Sequence, residues 1–289
     1  MTGRLFIFGL GYSGLEIARL ARAAGWQVAG TVRDPDKARQ YRAEGIETHL
    51  FDGTAPLAVD PLIEATHVLS TIAPGPSGDP ALPALRLCGP RLHEARWFGY
   101  LSTTGVYGDA GGGWVDENTP PRPGQPRSIQ RLAAEREWHG WTLDAGVTIF
   151  RLPGIYGPGR SAIDQVKAGT ARRIDKPGQA FSRIHVADIA NTVLTVLTRP
   201  EHWGLFNVAD DLPAPTADVI AYACELLGVP MPPLVSWEQV GPTMSAMARS
   251  FYAENRKVKN DRIKQELGVT LRYPTFREGL HAIARTTSP

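Results

Sequence analysis

A chain of 289 residues with a formal net charge of +2, 43% apolar and 21% charged residues has the make-up of a water-soluble protein with one large domain or two modest ones. No apolar stretch approaches the length of a membrane span, and the near-neutral charge gives no pull toward nucleic acid, so both partners are excluded as expectations. Cys88 and Cys224 lack metal or redox spacing, no histidine pairs into a ligand motif, and the N-terminus lacks a secretory pattern; the expectations are no metal, two buried thiols and the cytoplasm.

The first element is the most telling. An apolar strand over 4–8 runs into Gly9-Leu10-Gly11-Tyr12-Ser13-Gly14 and then into a helix marked by Ile17, Leu20, Ala21 and Ala24, with Gly25 as its stop. At a strand-to-helix turn, Gly9 permits the tight turn, Gly11 lets backbone approach a pyrophosphate and Gly14 lets helix pack on strand. The N–H groups around Tyr12 and Ser13 then face the phosphates at the helix N-terminus. The alternative is an ordinary turn with incidental glycines.

A second strand, 27–32, carries Thr31 where an acid would hold the ribose of NAD, followed by Arg33, whose guanidinium suits a 2′-phosphate. NADP is therefore expected, with NAD the alternative, and Asp34 is expected to cap the helix between Pro35 and Gly45, the alternative being an inward turn as a ribose ligand. Strands follow at 46–51, 66–72, 98–103 and 147–152, with long helices at 79–95 and 127–140. Thr71 and Ala73, ending the fourth strand, should line the path to the nicotinamide. The Gly/Pro-rich run from Gly108 to Pro126 reads as a functional loop. After residue 152 a turn-rich stretch leads to helices at 186–198, 216–227 and 275–285. Arg249 to Lys264 is a basic segment, read as a solvated face in preference to an anion site. Alternating strand and helix predict an α/β fold: a Rossmann-like doubly wound parallel sheet over 1–152, with a smaller mixed C-terminal, substrate-side part, 153–289, interleaved with that core as one unit.

Several segments together resemble the extended short-chain dehydrogenase/reductase superfamily, which includes nucleotide-sugar epimerases and dehydratases. They are the glycine loop, Leu101-Ser102-Thr103-Thr104-Gly105-Val106-Tyr107-Gly108, Arg151-Leu152-Pro153-Gly154-Ile155-Tyr156-Gly157-Pro158-Gly159, Ile184-His185-Val186-Ala187-Asp188 and Phe206-Asn207-Val208. The resemblance implies a nicotinamide cofactor touched by Asp52, Ser102 and Arg131, a catalytic hydroxyl at Thr103, and substrate contacts from Tyr156, Arg160, Arg183 and His185. It also implies a homodimer built on the two long helices. Asp52 with Gly53 is alternatively a simple turn, and Thr103 alternatively a strand-end threonine bonded to backbone.

Three departures qualify the resemblance. The loop is GxGxxG where extended members space theirs GxxGxxG. The substrate-side arginine falls at Phe181, with Arg183 two residues on. The Tyr-x-x-x-Lys pair falls at Arg127 and Arg131, a pattern similar to the atypical subgroup. A guanidinium stays charged, so Arg127 is no routine acid or base; it can stabilise a developing alkoxide or grip an anion. Arg131 can still hold ribose hydroxyls. Spacing alone favours another reading, in which Arg127, Arg131 and Glu135 form a surface ladder at i, i+4, i+8. Tyr107, Tyr156 and His185 are the groups able to move a proton. The function expected is an NADP-dependent oxidoreductase, epimerase or dehydratase acting on a small anionic substrate with a non-standard proton donor. The alternative is a non-catalytic NADP(H)-binding sensor.

Overall fold

The computed structural model describes residues 3–53, 60–140, 145–199 and 203–286. Its centre is a seven-stranded sheet of β1 (Arg4–Phe8), β2 (Gln27–Val32), β3 (Glu47–Leu50), β4 (His67–Ser70), β5 (Trp97–Thr103), β6 (Gly146–Leu152) and β7 (Gly204–Asn207). The order is β3-β2-β1-β4-β5-β6-β7 and every pairing is parallel. Chain direction across the sheet reverses between β1 and β4, which opens a crevice at their carboxyl ends.

Period-two alternation explains the two layers. In β1, Leu5 and Ile7 face a core shared with α1 (Tyr12–Ala23) and α7 (Val186–Leu197), through Ile17, Ala21, Ile189 and Val193. Phe6 and Phe8 face the opposite core, filled by Leu82 and Leu85 of α4 (Ala81–Cys88) and by Ala134 and Trp138 of α5 (Pro126–His139). Because both faces are buried, these strands read as nearly continuous apolar runs.

Between β2 and β3 lies α2 (Pro35–Ala43), and Asp34 caps it by accepting from the Asp36 N–H at 2.9 Å. The helix expected over 79–95 is shorter. It stops at Cys88 because Gly89 takes φ +48, and a 3-10 turn, Gly89–Leu92, follows. The later chain returns to the sheet through α7 and β7. The short α3 (Asp60–Ile63) precedes β4, and α9 (Trp237–Val240), α10 (Ala246–Tyr252) and α11 (Asp261–Gln265) follow α8 (Thr216–Leu227); a third core joins α6 (Ala162–Lys167), α8 and α12 (Phe276–Thr286) through Ile163, Ile220, Cys224 and Leu280. This smaller part stands over the carboxyl ends of β5 and β6.

The Gly/Pro-rich loop is fastened along one edge. Its strand Trp114–Val115 pairs with Lys257–Val258, the Ala110 and Gly112 N–H groups donate to the Asn255 carbonyl at 3.0 and 2.9 Å, and Arg256 donates to the Gly108 carbonyl at 2.7 Å. The basic segment is therefore mixed in role: Lys264 pairs with Asp211 and Arg262 with Glu266, while Arg256 turns inward. Among the described residues, no helix is long and apolar enough to cross a membrane.

Candidate active site

Gly9, at φ +91, makes the turn out of β1. A Cβ on Gly14 would stand 2.2 Å from the Gly9 carbonyl oxygen, so α1 can approach β1 only without a side chain there. A Cβ on Gly11 would meet no atom within 4 Å. Gly11 is also the N-cap of α1 and offers no side-chain cap, so the first N–H groups of that helix face open space. Protein packing does not require a glycine at 11, whereas close approach of a phosphate does.

Two hydroxyls lock this turn. Thr31 is 1% exposed and accepts from the Gly9 N–H at 2.9 Å, and Thr71 donates to the Gly9 carbonyl at 2.5 Å. Thr31 therefore supports the glycine loop and does not occupy a ribose position, while the Thr71 hydroxyl is turned toward the loop. Arg33 and Asp52 are exposed beyond β2 and β3, and the Arg33 side chain makes no hydrogen bond or ion pair among the described residues. Tyr12 donates to the Pro158 carbonyl at 3.1 Å and lies under the Arg160 guanidinium, 5.7 Å from its ring. Burial pushes its hydroxyl up to about 12. The first glycine loop and the turn after β6 thus touch, with Ser13 in the first turn of α1.

Beside the switch point lies a cavity of about 940 Å³, walled by the ends of β5 and β6, by α5 and by the smaller part. Ala73, Thr103, Arg127, Arg131, Tyr156, Arg160 and Arg183 all line it. Thr103 accepts from the Gly105 N–H at 3.1 Å and keeps its own proton for a partner. Arg131 donates to the Leu101 carbonyl at 2.7 Å and to the Tyr100 hydroxyl at 3.2 Å, which anchors it on β5. Arg127 is exposed, 5.9 Å from the centre of the Phe251 ring. Glu135 faces the opposite way, into a buried pair with Arg151. The surface ladder is not formed, because each of its three members is directed to a different partner.

Three expected site residues stand elsewhere. Ser102 is buried and donates to Glu135 at 2.5 Å, so its hydroxyl is spent under α5 and not at a cofactor. Tyr107 is 3% exposed, donates to Asn207 at 2.7 Å and lies under Arg151; it ties β5 to β7 and does not reach the cavity. His185 caps α7 by accepting from the Ala187 N–H at 3.1 Å, and its ring packs on Tyr156 and Tyr273. Burial, aided by Arg272, pushes this imidazole down to about 4, so it is neutral and fixed. Tyr156 stays on the cavity wall, but its hydroxyl donates to the Thr275 carbonyl at 3.3 Å and burial raises its pKa far above neutrality.

Sequence reasoning missed two groups. Ser128 on α5 is buried and lines the cavity, with Oγ 2.6 Å from where a Cβ on Gly105 would stand and Thr103 Oγ1 3.3 Å from the same point. Its only sequence signal is its place one residue after Arg127. Arg256 and Glu254 form an inward ion pair at 2.6 Å within a segment read as a solvated face.

The model of the NAD dependent epimerase/dehydratase family matches residues 5–209. Protein YeeZ of Escherichia coli K12 is 27% identical over 283 residues, covering 94% of this chain and 96% of its own. A solved structure from Silicibacter pomeroyi, described as a functionally unknown conserved protein, is 46% identical with a TM-score of 0.90, and the match covers 99% of each chain. Human epimerase family protein SDR39U1, solved with NADPH, shares the fold at a TM-score of 0.77 and 17% identity, over 98% of this chain and 99% of that one.

Proposed function

This chain belongs to the NAD dependent epimerase/dehydratase family, and from that premise we propose that it is an NADP-dependent oxidoreductase or epimerase acting on a small anionic substrate. One observation carries the reading. The cavity beside the strand ends is walled by five arginines, Arg127, Arg131, Arg160, Arg183 and Arg256, against two carboxylates, Asp164 and Glu254. Asp164 is occupied by the Ser161 N–H and hydroxyl, and Glu254 by Arg256, so the surplus positive charge is open to a ligand.

The glycine loop and the uncapped start of α1 fit a pyrophosphate, and Arg33, without a partner among the described residues, fits a 2′-phosphate. The NADPH held by human SDR39U1 on the same fold supports that choice. When bound, the cofactor supplies or accepts hydride. Thr103 and Ser128 hold donors for a substrate oxygen, and Arg127 and Arg131 stabilise negative charge that develops on it. Neither arginine carries the proton, because a guanidinium stays charged.

A second reading is favoured by the engagement of Tyr107, Tyr156 and His185 in fixed hydrogen bonds, which leaves none of these three poised at Thr103. In it the site binds NADP(H) without turnover, as a sensor. Calorimetry with NADPH and NADH, followed by nicotinamide absorbance across a panel of keto acids and sugar phosphates, separates the two. Oxidation of NADPH by any panel member selects the enzyme; tight NADPH binding with no oxidation selects the sensor.

A further inference from the structure

The cavity has two chemically different ends. At one, Thr103, Ser128, Arg127 and Arg131 surround the carboxyl end of β5. At the other, Tyr156, Ala162, Val219, Ile220, Phe276 and Leu280 line the cavity and belong to the apolar core of the smaller part. Of the polar residues beside that wall, Gln165 and Thr170 are exposed, Ser161 and Asp164 are bonded to each other, and Thr216 opens α8 at its edge. A sugar hydroxyl pressed on those apolar side chains would lose water and gain no partner from them.

Arg183 stands at this apolar end. It is in the short strand Arg183–His185, paired with Gly154–Tyr156, and one guanidinium nitrogen donates to the Phe181 and Ala214 carbonyls at 2.8 and 2.9 Å. Those two bonds fix the plane of the fork, and its remaining donors have no further hydrogen bond among the described residues while the side chain lines the cavity. Asp210 is near enough to act on it, yet the two side chains form no ion pair; burial pushes that carboxyl up and this guanidinium down from their ordinary values. A fixed arginine with open donors beside an apolar wall matches a carboxylate attached to an apolar body.

We infer that the substrate is a carboxylic acid with an aryl or branched alkyl body, its carboxylate on Arg183, its body on the Val219–Ile220 and Phe276–Leu280 wall, and its reacting carbon toward Thr103. This rests on the reading of the cavity as a substrate site beside a bound nicotinamide. Nucleotide sugars, whose hydroxyls the wall would leave unpartnered, are disfavoured.

The test is calorimetry on the full chain, with and without NADPH, using phenylpyruvate, 2-oxo-4-phenylbutanoate, pyruvate, the methyl ester of phenylpyruvate and UDP-glucose. The two aryl acids are expected to bind about tenfold or more tighter than pyruvate, which lacks the body, and than the ester, which lacks the charge. Arg183→Met should remove that preference over the ester and leave NADPH affinity unchanged. The ligand series on the unaltered protein carries the same test if the variant does not fold. UDP-glucose binding more tightly than the aryl acids, pyruvate matching them, or an unchanged acid preference in Arg183→Met overturns the inference. Failure of every acid to bind while NADPH binds also overturns it and leaves the cofactor site standing; failure of NADPH to bind in any mixture overturns the reading beneath it.

Discussion

Glu135 and Arg151 form a two-point ion pair inside the protein, Nε to Oε1 at 3.1 Å and a terminal nitrogen to Oε2 at 2.7 Å, with side chains 5% and 4% exposed. Ser102 donates to the same carboxylate. The pair joins α5 to β6, and α5 is the helix that presents Arg127, Ser128 and Arg131 to the cavity. Removing one partner leaves a desolvated charge, so Glu135→Ala should lower the unfolding free energy by about 3–5 kcal/mol. Replacing both residues with methionine should cost less than either single change, because no charge is left stranded. Urea denaturation of the three variants decides the point; a double variant less stable than both singles contradicts it.

Gly11 and Gly14 separate folding from cofactor binding. Gly14→Ala places a Cβ 2.2 Å from the Gly9 oxygen, so backbone must shift, and a loss of stability of about 1–3 kcal/mol is expected. Gly11→Ala meets no protein atom within 4 Å and takes a backbone angle, φ −82, that alanine accepts. Its thermal midpoint should match the unaltered protein while NADPH affinity falls about tenfold or more. A Gly11→Ala variant that keeps full NADPH affinity would show that the pyrophosphate does not approach there.

The elements were legible where one physical cause dominates. The sheet came from apolar runs between turn residues, and the glycine loop from a spacing that only backbone crowding demands. Side-chain direction was less legible, since it depends on partners distant in the chain. Tyr107 is turned by Asn207 and Arg151, Ser102 by Glu135, and Arg131 by the Leu101 carbonyl, and the Arg127–Arg131–Glu135 spacing carries no sign of these. The apolar wall was hidden for a related reason: Val219, Ile220, Phe276 and Leu280 sit at core positions of amphipathic helices, and periodicity cannot tell a core from a cavity wall. The over-long helix at 79–95 is a different error, a glycine at 89 given too little weight.

Arg33 should set the choice between cofactors. Its guanidinium is exposed and has no partner among the described residues, and no carboxylate stands at Thr31 or Val32 to hold ribose hydroxyls. Arg33→Ala is expected to weaken NADPH by about tenfold or more and to leave NADH within about twofold. Calorimetry with both cofactors measures the ratio; an equal loss for the two would mean that Arg33 does not meet the 2′-phosphate.

Asp210 gives stability a pH dependence of unusual sign. It is 1% exposed, Oδ2 has no hydrogen-bond partner among the described residues, and burial pushes its carboxyl up from 3.8 to about 8, against the opposing pull of Arg183 and the Leu212 N–H and with small additions from Asp211 and Asp188. Below about 4 the group is protonated whether the chain is folded or not. Between about 4 and 8 the fold keeps a proton that the unfolded chain has released, so stability falls as pH rises, by at most ~1.4 kcal/mol per pH unit from this group. The upper part of that window is the cleaner one, because His67 and His185, both pushed down to about 4 by burial, are neutral in the fold while the unfolded chain releases their protons around 6.5, an opposite slope that fades above about pH 7. The unaltered protein should therefore unfold at lower urea at pH 8 than at pH 7. Asp210→Asn keeps the shape without the titration, so its urea midpoint should stay level across the same interval and exceed the unaltered protein's at pH 8. Parallel slopes for the two proteins would place the carboxylate's titration elsewhere.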